Sequence, residues 1–262
     1  MKKLAAGLVA AALAVVGVAC GGDGASGDVS DALLTAAKAA EDAETAHVDM
    51  TVEISLGGQD IALEASGEFN FAEEIGSMTM TAAGGVGMPS AGQMEMVFDG
   101  TYMYVKGAAF DPALAGKEWG RVDLSSTTAA RTTQFNQDPT AYLDWLRGAG
   151  GDVEEVGQEE IDGTETTHYR ADLSIDSIVD QAPDEEAAEA MRAGFAVFGD
   201  VESFPLEVWV GDDGLPRRIN IVLEGEGGTD LATDVTVELS DYGVDVEVEP
   251  PTDYKELDTL AG

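Results

Sequence analysis

The chain has 262 residues and carries 13 Lys and Arg against 51 Asp and Glu, a formal net charge of −38. Acidity of that strength excludes nucleic acid, whose phosphates need a cationic partner surface, and excludes charge-driven adsorption to anionic headgroups. An apolar fraction of 44% beside 24% charged residues fits a folded globular protein with its acids on the surface, and the single Cys rules out a disulfide scaffold or a multi-Cys metal centre.

Met1-Lys2-Lys3 is a short cationic start, and Leu4 to Val18 is an apolar stretch ending in small residues before Cys20. Fifteen apolar residues are fewer than the ~18–20 that span a bilayer, so residues 1–19 read as a secretory signal. Its removal leaves 243 residues, a charge of −40 and one expected domain. Cys20 is followed by Gly21-Gly22-Asp23-Gly24-Ala25-Ser26-Gly27, so residues 20–28 read as a flexible tether. Val18-Ala19-Cys20 resembles a bacterial lipobox, departing from it at Gly17, where Leu is usual. An unmodified thiol outside the cytoplasm is open to oxidation, whereas a diacylated one is capped. Cys20 is therefore the expected lipidation site, holding the protein on the extracytoplasmic face of the cell membrane through chains that contribute ~0.8 kcal/mol per buried CH₂.

Residues 29–250 read as the single folded domain. Val29 to Glu44 places Leu33, Leu34, Ala37 and Ala40 at helical spacing. From His47 the period changes to two, with Val48, Met50, Val52, Ile54 and Leu56 on one face, then Ile61, Leu63, Ala65, Gly67, Phe69 and Phe71 after Gly57-Gly58. Gly84 to Gly92 reads as a flexible loop. Met94, Met96 and Phe98 lead into Asp99-Gly100, a hairpin pair that returns through Tyr102 to Val105. Asp138-Pro139 opens a helix carrying Tyr142, Leu143, Trp145 and Leu146. Asp162-Gly163 joins strands on either side, Ser174 to Gln181 is a short amphipathic turn, and Pro183-Asp184-Glu185-Glu186 starts a helix toward Met191, Phe195 and Phe198. Asp213-Gly214 joins Leu206–Val210 to Arg218–Leu223, and Val235, Val237 and Leu239 mark a last long strand. The pattern gives about eleven strands joined by short turns, hence an antiparallel sheet. Residues 251–262 form a C-terminal tail, an edge segment or disordered.

No nucleophile elbow, phosphate-binding glycine loop or dinucleotide fingerprint occurs. His47 and His168 fall on polar strand faces and read as solvent-facing, and no third ligand joins them. Among so many carboxylates, adjacency carries no information about acid–base chemistry. Acids near Asp212 and Asp213 lack a twelve-residue calcium-loop pattern. The chain reads as no enzyme, with no cofactor or metal.

A sheet of about eleven strands cannot stay open and flat, so it curls, with helices across its concave face. The fold class is α+β, an antiparallel half-barrel. Too few helical residues are present to fill the curve, and Met50, Met78, Met80, Met94 and Met96 all sit on strands, where methionine suits either a wall for flexible acyl chains or a gap-filled core. The expected cavity lining is Val52, Ile54, Phe69, Met80, Met96 and Phe98 on the wall and Leu143, Leu146, Phe195 and Phe198 on the roof.

Several segments, in order, resemble the LppX/LprG-type actinobacterial lipoproteins, which are similar in fold to the LolA and LolB carriers. They are the lipobox, the helix running into His47-Val48, Phe98-Asp99-Gly100-Thr101-Tyr102-Met103-Tyr104, Asp138-Pro139, Val156-Gly157 with Ile161-Asp162-Gly163-Thr164 and Thr167-His168-Tyr169, and Asp213-Gly214-Leu215-Pro216-Arg217-Arg218-Ile219. The resemblance implies a monomeric membrane-anchored protein whose concave side holds an acylated lipid or glycolipid for carriage within the envelope, with an envelope transporter as candidate partner. The alternative is an envelope lipoprotein that uses the half-barrel as a protein-binding sensor or assembly scaffold.

Overall fold

The structure, a computed structural model, describes residues 25–83, 92–124, 153–182 and 184–257. The helix opened by Asp138-Pro139, with Leu143 and Leu146, and nearly all of the loop from Gly84 lie outside the described residues. Helix α1 (Ala25–Ala43) buries Leu33, Ala36, Ala37 and Ala40, a stripe at i, i+3, i+4 and i+7. It begins at Ala25, inside the segment expected to be tether. Strands β1 (Thr45–Leu56), β2 (Gln59–Asn70), β3 (Ile75–Ala83), β4 (Met94–Asp99), β5 (Tyr102–Lys106) and β6 (Trp119–Asp123) form one wing. A four-residue helix, α2 (Asp111–Leu114), precedes β6; it is too short to show a helical period in sequence. Strands β7 (Val153–Ile161), β8 (Thr164–Ser174), β9 (Ser203–Gly211), β10 (Pro216–Glu224) and β11 (Leu231–Ser240) form the other wing.

Between β8 and β9 come α3 (Ile175–Val179) and α4 (Glu185–Phe195), followed by a 3₁₀ turn at Ala196–Phe198. Asp184 caps α4, its carboxylate accepting from Ala187 N at 2.9 Å, and Glu185 and Glu186 sit at the positive end of the helix dipole. The turn pairs behave as their residue types dictate. Asp162 and Gly163 both adopt positive φ, and Asp99 Oδ1 accepts from Tyr102 N at 2.7 Å across its hairpin.

The sheet, with β12 (Tyr254–Leu257) at one edge, runs β12-β6-β5-β4-β3-β2-β1-β11-β10-β9-β8-β7, and its ends do not meet. It is the curled α+β half-barrel expected, with one strand more. The addition is β12 (Tyr254–Leu257), supplied by the C-terminal tail and paired in parallel with β6, where only antiparallel pairs were expected. Four residues too short to alternate visibly gave no sequence signal for it.

Pairing register aligns the inward residues of the first wing into rows across the strands. The lowest row is Ala46, Phe69, Gly76, Phe98, Met103 and Val122, and the next is Leu239, Val48, Gly67, Met78, Met96, Val105 and Gly120. At Gly67 a Cβ would collide with the Ser77 carbonyl of β3, so this tightly coiled point of the sheet requires glycine.

Candidate functional site: an apolar trough

The two lowest rows are a packed floor. Phe69, Phe98, Met103, Val122, Val48 and Met96 are buried, and the Phe69 and Phe98 rings meet at 5.2 Å. The row above the floor still buries Ala65 and Val237, and beyond it burial falls away along β1–β4 and β11. Met50, Met80 and Met94 are half-buried, as are Val52, Val235 and Leu63, then Ile54 and Ile61, and at the β1–β2 tip Leu56 is 57% exposed. The opposite wing behaves differently at the same height. Leu206, Ala171, Phe204 and Leu173 are buried, because α3 and α4 lay Ile175, Ile178, Val179, Ala188 and Met191 against them and α1 packs on β7, β9 and β10. Among the described residues, helix plugs the β8–β9 side of the sheet, whereas β1–β4, β11 and the adjoining end of β10 present an uncovered aliphatic slope.

The structure thus divides the expected lining. Val52, Ile54 and Met80 lie on the slope; Phe69, Met96 and Phe98 lie in the floor beneath it. Phe195 is half-buried and stacks on Phe204 at 5.8 Å, while Phe198 is half-buried beside the β10–β11 turn, its carbonyl accepting from Glu226 N at 2.8 Å. Ile61, Leu63, Met94, Leu223 and Val235 share the slope and were readable as inward-facing, but which inward residues stay uncovered depends on register and helix placement.

On the slope the inward positions are aliphatic or methionine, with Thr233 opposite Ile54 and Gln59 opposite Leu56 at the tip as the polar exceptions. Apolar area covered on such a surface is worth ~25 cal/mol per Å². Among the described residues no group of three or more His, Cys, Asp or Glu side chains could hold a metal ion.

The convex face carries the charge, and there one expectation is corrected. His47 is partly exposed, but His168 is 6% exposed rather than solvent-facing. Alternation does place it on the outer face; Trp209, its register partner on β9, then stacks over it at 4.1 Å and 11°, with Arg218 above the indole at 5.6 Å. His168 Nδ1 lies 3.1 Å from Glu159 Oε1, and Trp209 Nε1 donates to Glu159 Oε2 at 3.0 Å. Nε2 has no hydrogen-bond partner and lies 3.6 Å from Glu207 Oε2. Asp213, weighed as a cation ligand, is committed instead to Arg217 at 2.5 Å and to the Leu215 amide.

The Trp209 hydrogen bond, aided by His168, holds the Glu159 carboxyl below the usual carboxylate value of 4.5. A carboxyl whose folded pKa is depressed stabilises the protein above its unfolded value, and that contribution disappears as pH falls through the lower folded value. The Glu159→Gln variant should therefore lose less stability than the parent between about pH 6 and about pH 3, measured by urea denaturation at each pH. Equal losses in the two proteins would mean that this carboxyl carries no pH-linked stability.

No protein-family model matches the chain. An uncharacterized 31.2 kDa protein of Streptomyces griseus, from the rplA–rplJ intergenic region, is 28% identical over 238 residues, covering 82% of this chain and 75% of that one. Two solved structures share the fold. The lipoprotein LppX of Mycobacterium tuberculosis is 14% identical with a TM-score of 0.53, over 85% of this chain and 99% of its own. LprF of Mycobacterium bovis is 16% identical with a TM-score of 0.50, over 86% of this chain and 98% of its own.

Proposed function

We propose that this chain, which has the fold of LppX and LprF, is a membrane-tethered carrier that takes up an acylated lipid or glycolipid on the slope of its half-barrel and moves it within the cell envelope. The observation behind this reading is that, among the described residues, helices seal the β8–β9 side of the sheet while a continuous aliphatic incline runs from Met50 to the exposed Leu56. Residues 1–19 direct export and lipid on Cys20 retains the protein at the membrane. The trough residues are Val52, Ile54 and Met80, with Phe195 and Phe198 at its margin, above a floor of Phe69, Met96 and Phe98. Binding without chemistry needs no cofactor.

Native mass spectrometry of the mature chain bearing Cys20→Ser, purified from its own host, tests the reading. Mass increments from co-purified acylated species, removable by organic extraction, are expected. Protein that carries no lipid but brings down a stoichiometric protein partner would replace the carrier by the scaffold reading.

A further inference from the structure

We propose that the open rim of the half-barrel, the end opposite the floor, is a membrane-contact surface that dips into a lipid bilayer of no net charge, so that the trough takes up and delivers its ligand directly at the bilayer. The inference rests on the trough being the lipid site and on the lipid anchor at Cys20.

Three turns meet at that rim. Strand β1 ends at Leu56 and turns through Gly57-Gly58 into β2. Gly57 N donates to the Asp230 carbonyl at 3.0 Å, which joins this tip to the β10–β11 turn. Glu226 N of that turn donates to the Phe198 carbonyl at 2.8 Å, which joins it to the 3₁₀ turn after α4. Gly199 lies so close to the Glu226 carbonyl that a Cβ there would collide with it. The three tips are thus tied into one edge rather than being three separate loops.

Among the described residues three large hydrophobic side chains are more than half exposed. Leu56, at 57%, and Val197, at 56%, both stand on this rim, on two of the tied tips; the third, Val156, lies on the edge strand β7. Phe195, Phe198, Val201 and Leu231 are half-buried behind them, and Leu231 is the register partner of Leu56. Because the incline of the trough runs up to Leu56, rim and trough form one continuous apolar surface. Asp60, Asp200, Glu224, Glu226 and Asp230 stand exposed around the tips, against the single cation Arg192 in the last turn of α4. That balance repels an anionic surface and leaves apolar contact as the source of attraction.

Two aliphatic tips are far less than the ~800 Å² per partner of a standard protein interface. They suffice for a bilayer when an anchor supplies the rest of the affinity. Only five Cα steps separate Cys20 from the first residue of α1, a reach of at most ~18 Å, so an acylated Cys20 keeps the domain at the bilayer surface. A contact too weak to hold a free protein is then an intramolecular one.

An environment-sensitive dye on one cysteine of the mature chain, with Cys20→Ser, reads the contact without any ligand. On Leu56→Cys or Val197→Cys the dye should shift to the blue and brighten at least ~3-fold on phosphatidylcholine vesicles, and on Val156→Cys it should not respond. Replacing a third of the lipid by phosphatidylglycerol at low salt should weaken the response. No response at either tip, equal responses at all three sites, or a stronger response on the anionic vesicles would overturn the proposal. A blue shift without vesicles that grows with protein concentration would overturn it in favour of a second copy of this chain. Delivery of cis-parinaric acid from loaded protein should speed up in proportion to vesicle concentration, and Val197→Asp should slow it ~10-fold at unchanged affinity. Delivery that depends on neither would overturn transfer by direct contact. Failure of the unlabelled chain to bind cis-parinaric acid would instead sink the carrier reading and the transfer with it, leaving the dye response to decide whether the rim meets the membrane.

Discussion

Replacing Val52 and Leu63 together by Asp should weaken binding of a long-chain acyl probe by about 30-fold or more while leaving the fold intact. The two residues are direct cross-strand partners in the middle of the slope, and both are half-buried. Covering an aliphatic side chain with ligand is worth roughly 1.5–3 kcal/mol, and 1.4 kcal/mol is a factor of ten in affinity. Placing two carboxylates there removes that gain and adds the cost of desolvating charge against a hydrocarbon chain. The unliganded protein tolerates the change because both new groups keep water contact; the repulsion of like charges directly opposite costs about 0.2–1 kcal/mol. Fluorescence titration with an acyl probe, beside thermal unfolding, separates the two effects. Thr51→Asp, on the convex face of the same strand, should change neither by much. Unaltered affinity in the double variant would move the ligand off this incline.

Truncating Leu206 to Ala should cost about 2–5 kcal/mol of folding stability, among the largest losses available to a single aliphatic position in this chain. Leu206 is 0% exposed, pairs with Ile221 on one side and Ala171 on the other, and belongs to the core that includes Ile178. Its neighbours are held on two sides by strand pairing and covered from the concave side by helix, so little collapse into the void is available. Ile54→Ala, at a half-buried site, should cost about 1 kcal/mol or less. Chemical denaturation of both proteins checks the pair of values. Comparable costs would mean that the two wings are equally packed and that no distinction between plug and slope exists.

Much of this architecture was legible in the residues. Period-two alternation located the strands, and Gly57-Gly58, Asp99-Gly100, Asp162-Gly163 and Asp213-Gly214 located their turns, because each pair puts a glycine at a positive φ that few side chains allow. What alternation cannot supply is height. It gives Phe69 and Ile61 the same face, and only register puts the first in the floor and the second on the slope. Nor can it supply what a neighbouring strand contributes. His168 was correctly assigned to the outer face, but the indole that buries it comes from β9, a distant stretch of chain. The parallel pairing of Tyr254–Leu257 escaped for the same reason: its partner β6 is far away in sequence, and four residues hold no periodic signal.

The seam at the centre of the sheet has a kinetic consequence. His47 pairs with Ser240 and Leu56 with Leu231, so the joint between the wings unites the first strand of the domain with its last long one. Either side is a succession of neighbouring hairpins able to form as the polypeptide appears, whereas the joint demands closure of almost the whole molecule, an entropically slow event. A newly exported copy should therefore exist for a time as two half-built sheets with naked central edges, the interval in which it is most exposed to proteases and to pairing with its neighbours.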